Sequence, residues 1–330
     1  MRLISRLLLS SILVCSSLAA SASSYSSLVV FGDSLSDNGN NTLLGLANPG
    51  QVITGNDYVP SYTYGSGVYS NGPVWASQFA SMLGLAPLLP SLAGGTDFAF
   101  GGATTGAGSP TPSLLAQTGM FLGSTVGPVA SDALFVVAGG GNNARATLAT
   151  LSASTPDTFD GIIFSAAAQY AIDVGNIVDS LQARGAQHII VWNTPNLGVA
   201  PAVVASGPGA AYYGSVIANS FNTLLGLRMG GEVGVQMFDL FGLATQAANN
   251  GFTNVTDACG APTNGAVCPD ISQALFWDGI HPTTAAHHLI AERMFATAVP
   301  EPETWTLMLV GVGFIGLRAR RRTGSALVAA

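Results

Sequence analysis

An aspartate three residues ahead of a histidine, in the loop-like stretch Asp278-Gly279-Ile280-His281-Pro282, is the spacing in this chain that speaks most directly of chemistry. It lets a carboxylate orient an imidazole and stabilise its charged form, as the acid does in a Ser-His-Asp triad. Imidazole suits proton transfer because its pKa lies near working pH. The other histidines are placed differently. His188 opens an apolar run read as a strand, far from that strand's carboxyl end, while His287 and His288 fall in the helical stretch from Thr283 to Ala298 and read as surface residues. Alone, the Asp278–His281 pair also fits a turn aspartate beside a structurally bonded histidine. A base needs a proton to take, and a serine hydroxyl is a poor nucleophile without one. Ser34, Gly102 and Asn142 each follow closely on an apolar run and are the residues to weigh with it.

The elements that must position them are five short apolar runs. Leu28–Phe31, Leu134–Ala138, His188–Trp192 and Val233–Phe238 read as strands, with Asp97–Phe100 a weaker one. Continuous apolar runs of this length suit strands buried on both faces. Between them lie helical patterns. Tyr170, Val174, Ile177, Val178 and Leu181 recur at helical spacing ahead of Gly185, and Ile217, Phe221, Leu224 and Leu225 ahead of Gly230. Strands alternating with helices mean parallel crossovers, hence an α/β fold: a five-stranded parallel sheet in a three-layer α/β/α sandwich. In the flavodoxin-like order 2-1-3-4-5, ligands bind at the switch point between the first and third predicted strands. That places Ser34 and Asn142 across it from each other.

On these residues a resemblance becomes specific. Phe31-Gly32-Asp33-Ser34-Leu35-Ser36-Asp37 looks like the first block of the GDSL/SGNH hydrolases, and Ala99-Phe100-Gly101-Gly102-Ala103-Thr104 resembles the second. Gly140-Gly141-Asn142-Asn143 resembles the third and Asp278-Gly279-Ile280-His281-Pro282 the last, while Tyr69 to Trp75 is similar to the bacterial lipase-like and plant-like branch. The four blocks stand in order over roughly 28–296, which is specific where any one would be weak. The resemblance implies an SGNH-hydrolase fold and a serine esterase with Ser34 as nucleophile and Asp278–His281 as its base pair. It also implies an oxyanion hole made by the N–H of Ser34, the N–H of Gly102 and the side-chain amide of Asn142. A helix beginning near Ser34 would add its positive end. Asn143 stands where the family more often has aspartate, and Asp33 reads as a loop brace. No cofactor or metal is called for: the polar run Asp37, Asn38, Asn40, Asn41 lacks the spacing of a calcium loop. A retired scaffold that binds polysaccharide on the same fold is the alternative reading.

Both ends read as addresses. Arg2 and Arg6, an apolar run from Leu7 to Val14 and the small residues up to Ala22 form a signal peptide over 1–22. At the far end Val299-Pro300-Glu301-Pro302-Glu303, an apolar stretch from Thr304 to Leu317, and Arg318, Arg320, Arg321 and Arg322 resemble the PEP-CTERM sorting signal, over 299–330. That resemblance implies processing by an exosortase, transient association with the inner membrane, and export to the periplasm, outer surface or matrix of a Gram-negative bacterium. The domain between, 23–298, keeps only Arg145, Arg184, Arg228 and Arg293 of the ten basic residues. Seventeen acids, less Glu301 and Glu303, leave fifteen, for a net charge of −11. Four scattered arginines build no basic patch, which excludes nucleic acid as a partner. A small-molecule, lipid or acylated-saccharide ester remains. Cys259 and Cys268 sit in a Gly/Pro/Asn-rich loop and read as a disulfide in an oxidising compartment, with zinc disfavoured because no histidine lies nearby.

Overall fold

Leu28–Phe31 and Ala133–Ala138 are buried on both faces, which is why they read as unbroken apolar runs instead of alternating ones. The structure, a computed structural model, describes residues 25–260 and 268–299. The leader, 1–22, and the apolar span and arginines of the tail lie outside the described residues. The main sheet holds four parallel strands in the order β1 (Ser27–Gly32), β2 (Ala133–Ala138), β3 (His188–Trp192) and β4 (Val235–Phe238).

The weak fifth strand is reduced to an isolated parallel bridge between Val30 and Asp97 on the free edge of β1. Its ladder is nevertheless started: Val30 N–H donates to Thr96 O, Phe98 N–H to Val30 O and Phe100 N–H to Gly32 O. The buried Asp97 carboxylate accepts from the N–H of Ala99, two residues on, and from that of Asn38. Counted with this segment, the sheet keeps the expected 2-1-3-4-5 order.

Helices cover both faces. Val29, Phe31, Phe135, Val137, Ile189 and Val191 share a core with α2 (Leu114–Ser124), α3 (Gly141–Ser152), α4 (Phe159–Ala183) and α5 (Pro208–Met229). On the opposite face Trp192 packs with its ring centre 4.5 Å from that of Trp75 of α1 (Trp75–Met82) and meets Met294 of α7 (Thr284–Ala298) at 3.0 Å. His287 belongs to that inner stripe with Ile290, Ala291 and Met294, at i, i+3, i+4 and i+7, and is fully buried. The expectation that it lies on the surface is therefore wrong, while His288 is exposed as expected.

A second, two-stranded parallel sheet was not foreseen: β5 (Asn254–Ala258) pairs with β6 (Ala274–Phe276). Its pairing continues past the strands, with Cys259 N–H donating to Phe276 O and Gly260 N–H to Trp277 O. Cys259 is joined to Cys268 in a disulfide, Cα–Cα 4.9 Å. β6 ends two residues before Asp278.

Candidate active site

β1 ends at Gly32, a position only glycine fits: an added Cβ would lie 2.8 Å from Ala138 O and from Ser36 Oγ. The chain then makes one turn, Ser36 and Asp37 N–H both donating to Asp33 O at 3.0 and 2.9 Å, and that turn carries Ser34. The helix expected near Ser34 does not form; the next one, Asn40–Leu43, has four residues. The Asp37 carboxylate accepts from the N–H groups of Gly39, Asn40, Asn41 and Gly101. It thus takes donors a continuous helix would commit to its own carbonyls, and ties the first block to the second. The neighbouring asparagines are spent likewise: Asn40 Nδ2 donates to Asp97 O and Ala99 O, and Asn41 Nδ2 to Tyr69 OH and Gly101 O. Among the described residues no cluster of three or more His, Cys, Asp or Glu could hold a metal.

Ser34, His281 and Asp278 come together in one hydrogen-bonded chain. Ser34 Oγ lies 2.8 Å from His281 Nε2, and His281 Nδ1 lies 2.7 Å from Asp278 Oδ2. A carboxylate can only accept, so Nδ1 carries the proton and Nε2 of the neutral ring is left to accept from the serine hydroxyl. All three residues are buried. Asp278 is saturated: its Oδ1 accepts from the N–H of Ile280 and of His281, and its Oδ2 also accepts from Tyr64 OH at 2.8 Å. Trp277 N–H closes the turn on His281 O at 2.7 Å. Tyr69 stacks on the imidazole, ring centres 5.3 Å apart. His188 pairs with Leu134 at the start of β3, at the other end of the sheet, as expected.

The three candidate oxyanion donors have hydrogens to spare. Neither Ser34 N–H nor Gly102 N–H donates to any acceptor among the described residues, and Asn142 Nδ2 spends one of its two on Ala103 O at 2.9 Å. Gly102 has φ +84°, where it sits in the turn closed by Ala103 N–H on Phe100 O. That conformation costs glycine nothing and other residues a great deal. Arg145, one turn along α3, donates to Asn142 Oδ1 at 3.4 Å. The Asn142 amide is thus held from both ends.

Asn143 explains itself. Its Oδ1 accepts from Thr105 N–H at 3.1 Å, and its Nδ2 donates at 2.9 Å to Thr105 Oγ1. Thr105 Oγ1 in turn donates to Asp173 Oδ2 at 2.8 Å. With the carboxylate supplied by Asp173, position 143 must donate, which an amide does and an ionised aspartate cannot.

Burial pushes the Asp33 carboxyl up to about 6, against the opposing pull of Leu35 N–H, His281 and Arg145. Burial likewise lowers the Arg145 guanidinium from its usual value, with Asp278 and Asp33 restoring part of it. Burial and then the Asp278 charge keep Tyr64 protonated, so it donates at any pH the fold survives. Beside this cluster opens a pocket that includes Ser34, Asn142, Arg145 and His281 in its wall. Arg145, Tyr64 and Tyr69 went unassigned in the sequence. The only signals were an arginine one helical turn after Asn142 and a run of tyrosines in an otherwise polar loop.

Residues 28–294 match the family model of GDSL-like lipases and acylhydrolases, and residues 298–322 match the PEP-CTERM protein-sorting motif. A GDSL esterase/lipase of Arabidopsis thaliana is 27% identical over 319 residues, covering 82% of this chain and 89% of the relative. Esterase EstA of Pseudomonas aeruginosa is 30% identical over 324 residues, covering 84% of this chain and 47% of its own length. The solved structure of phospholipase A1 from Streptomyces albidoflavus is similar at 17% identity and TM-score 0.44, covering 83% of this chain and 99% of that one.

Proposed function

This chain belongs to the family of GDSL-like lipases and acylhydrolases, and from that premise we propose that it hydrolyses carboxylic esters with Ser34 as nucleophile, His281 as base and Asp278 as the acid that orients it. His281 Nε2 takes the Ser34 proton as Oγ bonds to the ester carbon. The carbonyl oxygen becomes anionic and accepts from Ser34 N–H, Gly102 N–H and the second N–H of Asn142. His281 then gives its proton to the departing alcohol, and the C–O bond breaks. Water repeats the sequence: His281 takes its proton, hydroxide adds to the acyl-serine, and Ser34 leaves with the proton returned. The observation that carries the reading is the chain from Ser34 Oγ through His281 to Asp278, with both links under 3 Å.

Export is the second part of the proposal. The sorting motif at 298–322 implies recognition by an exosortase after secretion through the leader at 1–22, with an ester outside the inner membrane as substrate. Two substitutions test the chemistry. Ser34→Ala reduces hydrolysis of a nitrophenyl ester to background, while Ser36→Ala keeps most of it. Ser36 Oγ instead accepts from Trp75 Nε1 at 3.1 Å, so its loss shows as lower thermal stability. Activity that survives Ser34→Ala overturns the assignment.

A further inference from the structure

The pocket beside Ser34 is polar only where the chemistry is. Away from Asp33, Ser34, Asn142, Arg145 and His281, its walls are Leu197, Leu240, Leu243, Leu275, Phe276, Ile290 and other apolar side chains. The single further polar residue, Asn196, is largely engaged within the fold: its Oδ1 accepts from Gly198 N–H and Ser215 Oγ, and its Nδ2 donates one of its two hydrogens to Thr245 Oγ1. A sugar hydroxyl placed against the leucines would lose its water and find no partner, at a cost that hydrocarbon does not incur. The walls come from the loop after β3, the short helix α6 (Leu240–Thr245), β6 with the loop that follows it, and the first turns of α7.

We infer that this pocket holds the acyl chain of the substrate, and that the preferred ester carries a medium or long hydrocarbon acyl group rather than acetyl. The inference rests on the hydrolase reading above and goes beyond it. Acyl side rather than alcohol side follows from the order of events. The acyl group stays on Ser34 while the alcohol departs and water enters by the same route, next to His281 Nε2. A dry apolar wall would obstruct that route, whereas it suits the part that stays bound. Ala244 is the residue that sets chain length. It is the small side chain of α6 in the wall, only half-buried, so a larger side chain there fills the pocket without displacing the core.

The experiment uses the full chain and two series of esters: nitrophenyl esters from acetyl to decanoyl, and alkyl acetates from ethyl to octyl followed by acid release. Each methylene buried contributes about fourfold, so kcat/KM rises at least tenfold from acetyl to octanoyl, while the alkyl acetates show no comparable rise. In Ala244→Trp the octanoyl-to-acetyl ratio falls at least tenfold. Leu243→Ala, which enlarges the pocket, moves the optimum to longer acyl chains and serves if the tryptophan variant does not fold. Equal turnover of acetyl and octanoyl esters, or a rise confined to the alkyl acetates, overturns the acyl pocket and leaves the hydrolase standing. Failure to cleave either series overturns the hydrolase itself.

Discussion

The two halves of the site are held in different ways. Ser34 and Asn142 sit just past the ends of β1 and β2, paired strands in register from Ser27–Ala133 to Gly32–Ala138, so sheet geometry alone brings them face to face. Asp278 and His281 follow β6, a three-residue strand in the small second sheet. They are held from all sides: Gly279 N–H donates to Tyr58 O, Gly279 O accepts from Ala202 N–H, Tyr64 OH donates to Asp278, and Tyr69 stacks on the ring. The strand-end half is positioned by repeating backbone bonds, the loop half by single contacts from distant segments, three of them from tyrosines more than two hundred residues away in sequence. A nucleophile can ride on local structure, whereas its base is placed by the whole fold.

The largest effects separate base from oxyanion donor within this comparison. His281→Ala leaves a residual rate near background from about pH 6 to 8, since the acceptor for the Ser34 proton is gone. Asn142→Ala keeps the shape of the pH profile and lowers kcat by roughly 10²–10³ with little change in KM, because the charge it meets develops only in the transition state. Asn143→Ala costs much less, through the loss of its two bonds to Thr105. Steady-state kinetics across that pH range check all three. A larger loss at Asn143 than at Asn142 would move the oxyanion donor by one residue.

A smaller effect tests the cost of burying charge on the strand-end half. Asp33 has its folded pKa raised from 3.8 to about 6. Between those values the native state binds more proton than the unfolded one, so its contribution to stability is full below about pH 4 and is lost as pH rises through about 6. The loss is about 3 kcal/mol. His287 runs the other way: burial lowers it from 6.5 to about 3, so it destabilises the fold as pH falls through that window. Asp33→Asn keeps an acceptor for Leu35 N–H and removes the charge. Its unfolding free energy relative to the parent therefore grows from pH 4 to pH 7, while His287 cancels in the difference. A flat difference would mean that Asp33 stays ionised throughout, held by Arg145.

What could be read in the sequence follows the same division. β1, β2 and β3 are apolar on both faces and stand out as runs, and with them came the switch point and the positions of Ser34 and Asn142. β5, Asn254-Val255-Thr256-Asp257-Ala258, has only its last residue fully buried, so no apolar run marks it, and β6 is too short for a periodicity. The turn at Ser34 was mistaken for a helix start because nothing local shows Asp37 reaching Gly101. His287 was misplaced because both faces of α7 carry a histidine. Tyr64 is beyond local reading altogether: its partner Asp278 lies 214 residues away.

The disulfide gives the smallest effect and the sharpest test of how the loop half is held. Cys259 and Cys268 are nine residues apart, and closing so short a loop contributes about 2–3 kcal/mol at best. The bond lies beside the ladder that leads through Phe276 and Trp277 to Asp278, a position from which it could aim the base. The bonds around Asp278 argue otherwise. Its Oδ1 is fixed by Ile280 and His281 N–H, its Oδ2 by Tyr64, and the turn is closed by Trp277 N–H on His281 O, none of which passes through either cysteine. The double variant Cys259→Ala, Cys268→Ser, with alanine at the buried position so that no hydroxyl is left unpaired, is therefore less stable by up to that amount. Its kcat per folded molecule stays within about twofold. Chemical denaturation and active-site titration with an irreversible serine reagent measure the two separately. A tenfold fall in kcat with stability unchanged would reverse the argument, making the disulfide part of what positions His281 and extending the loop half of the site to Cys268.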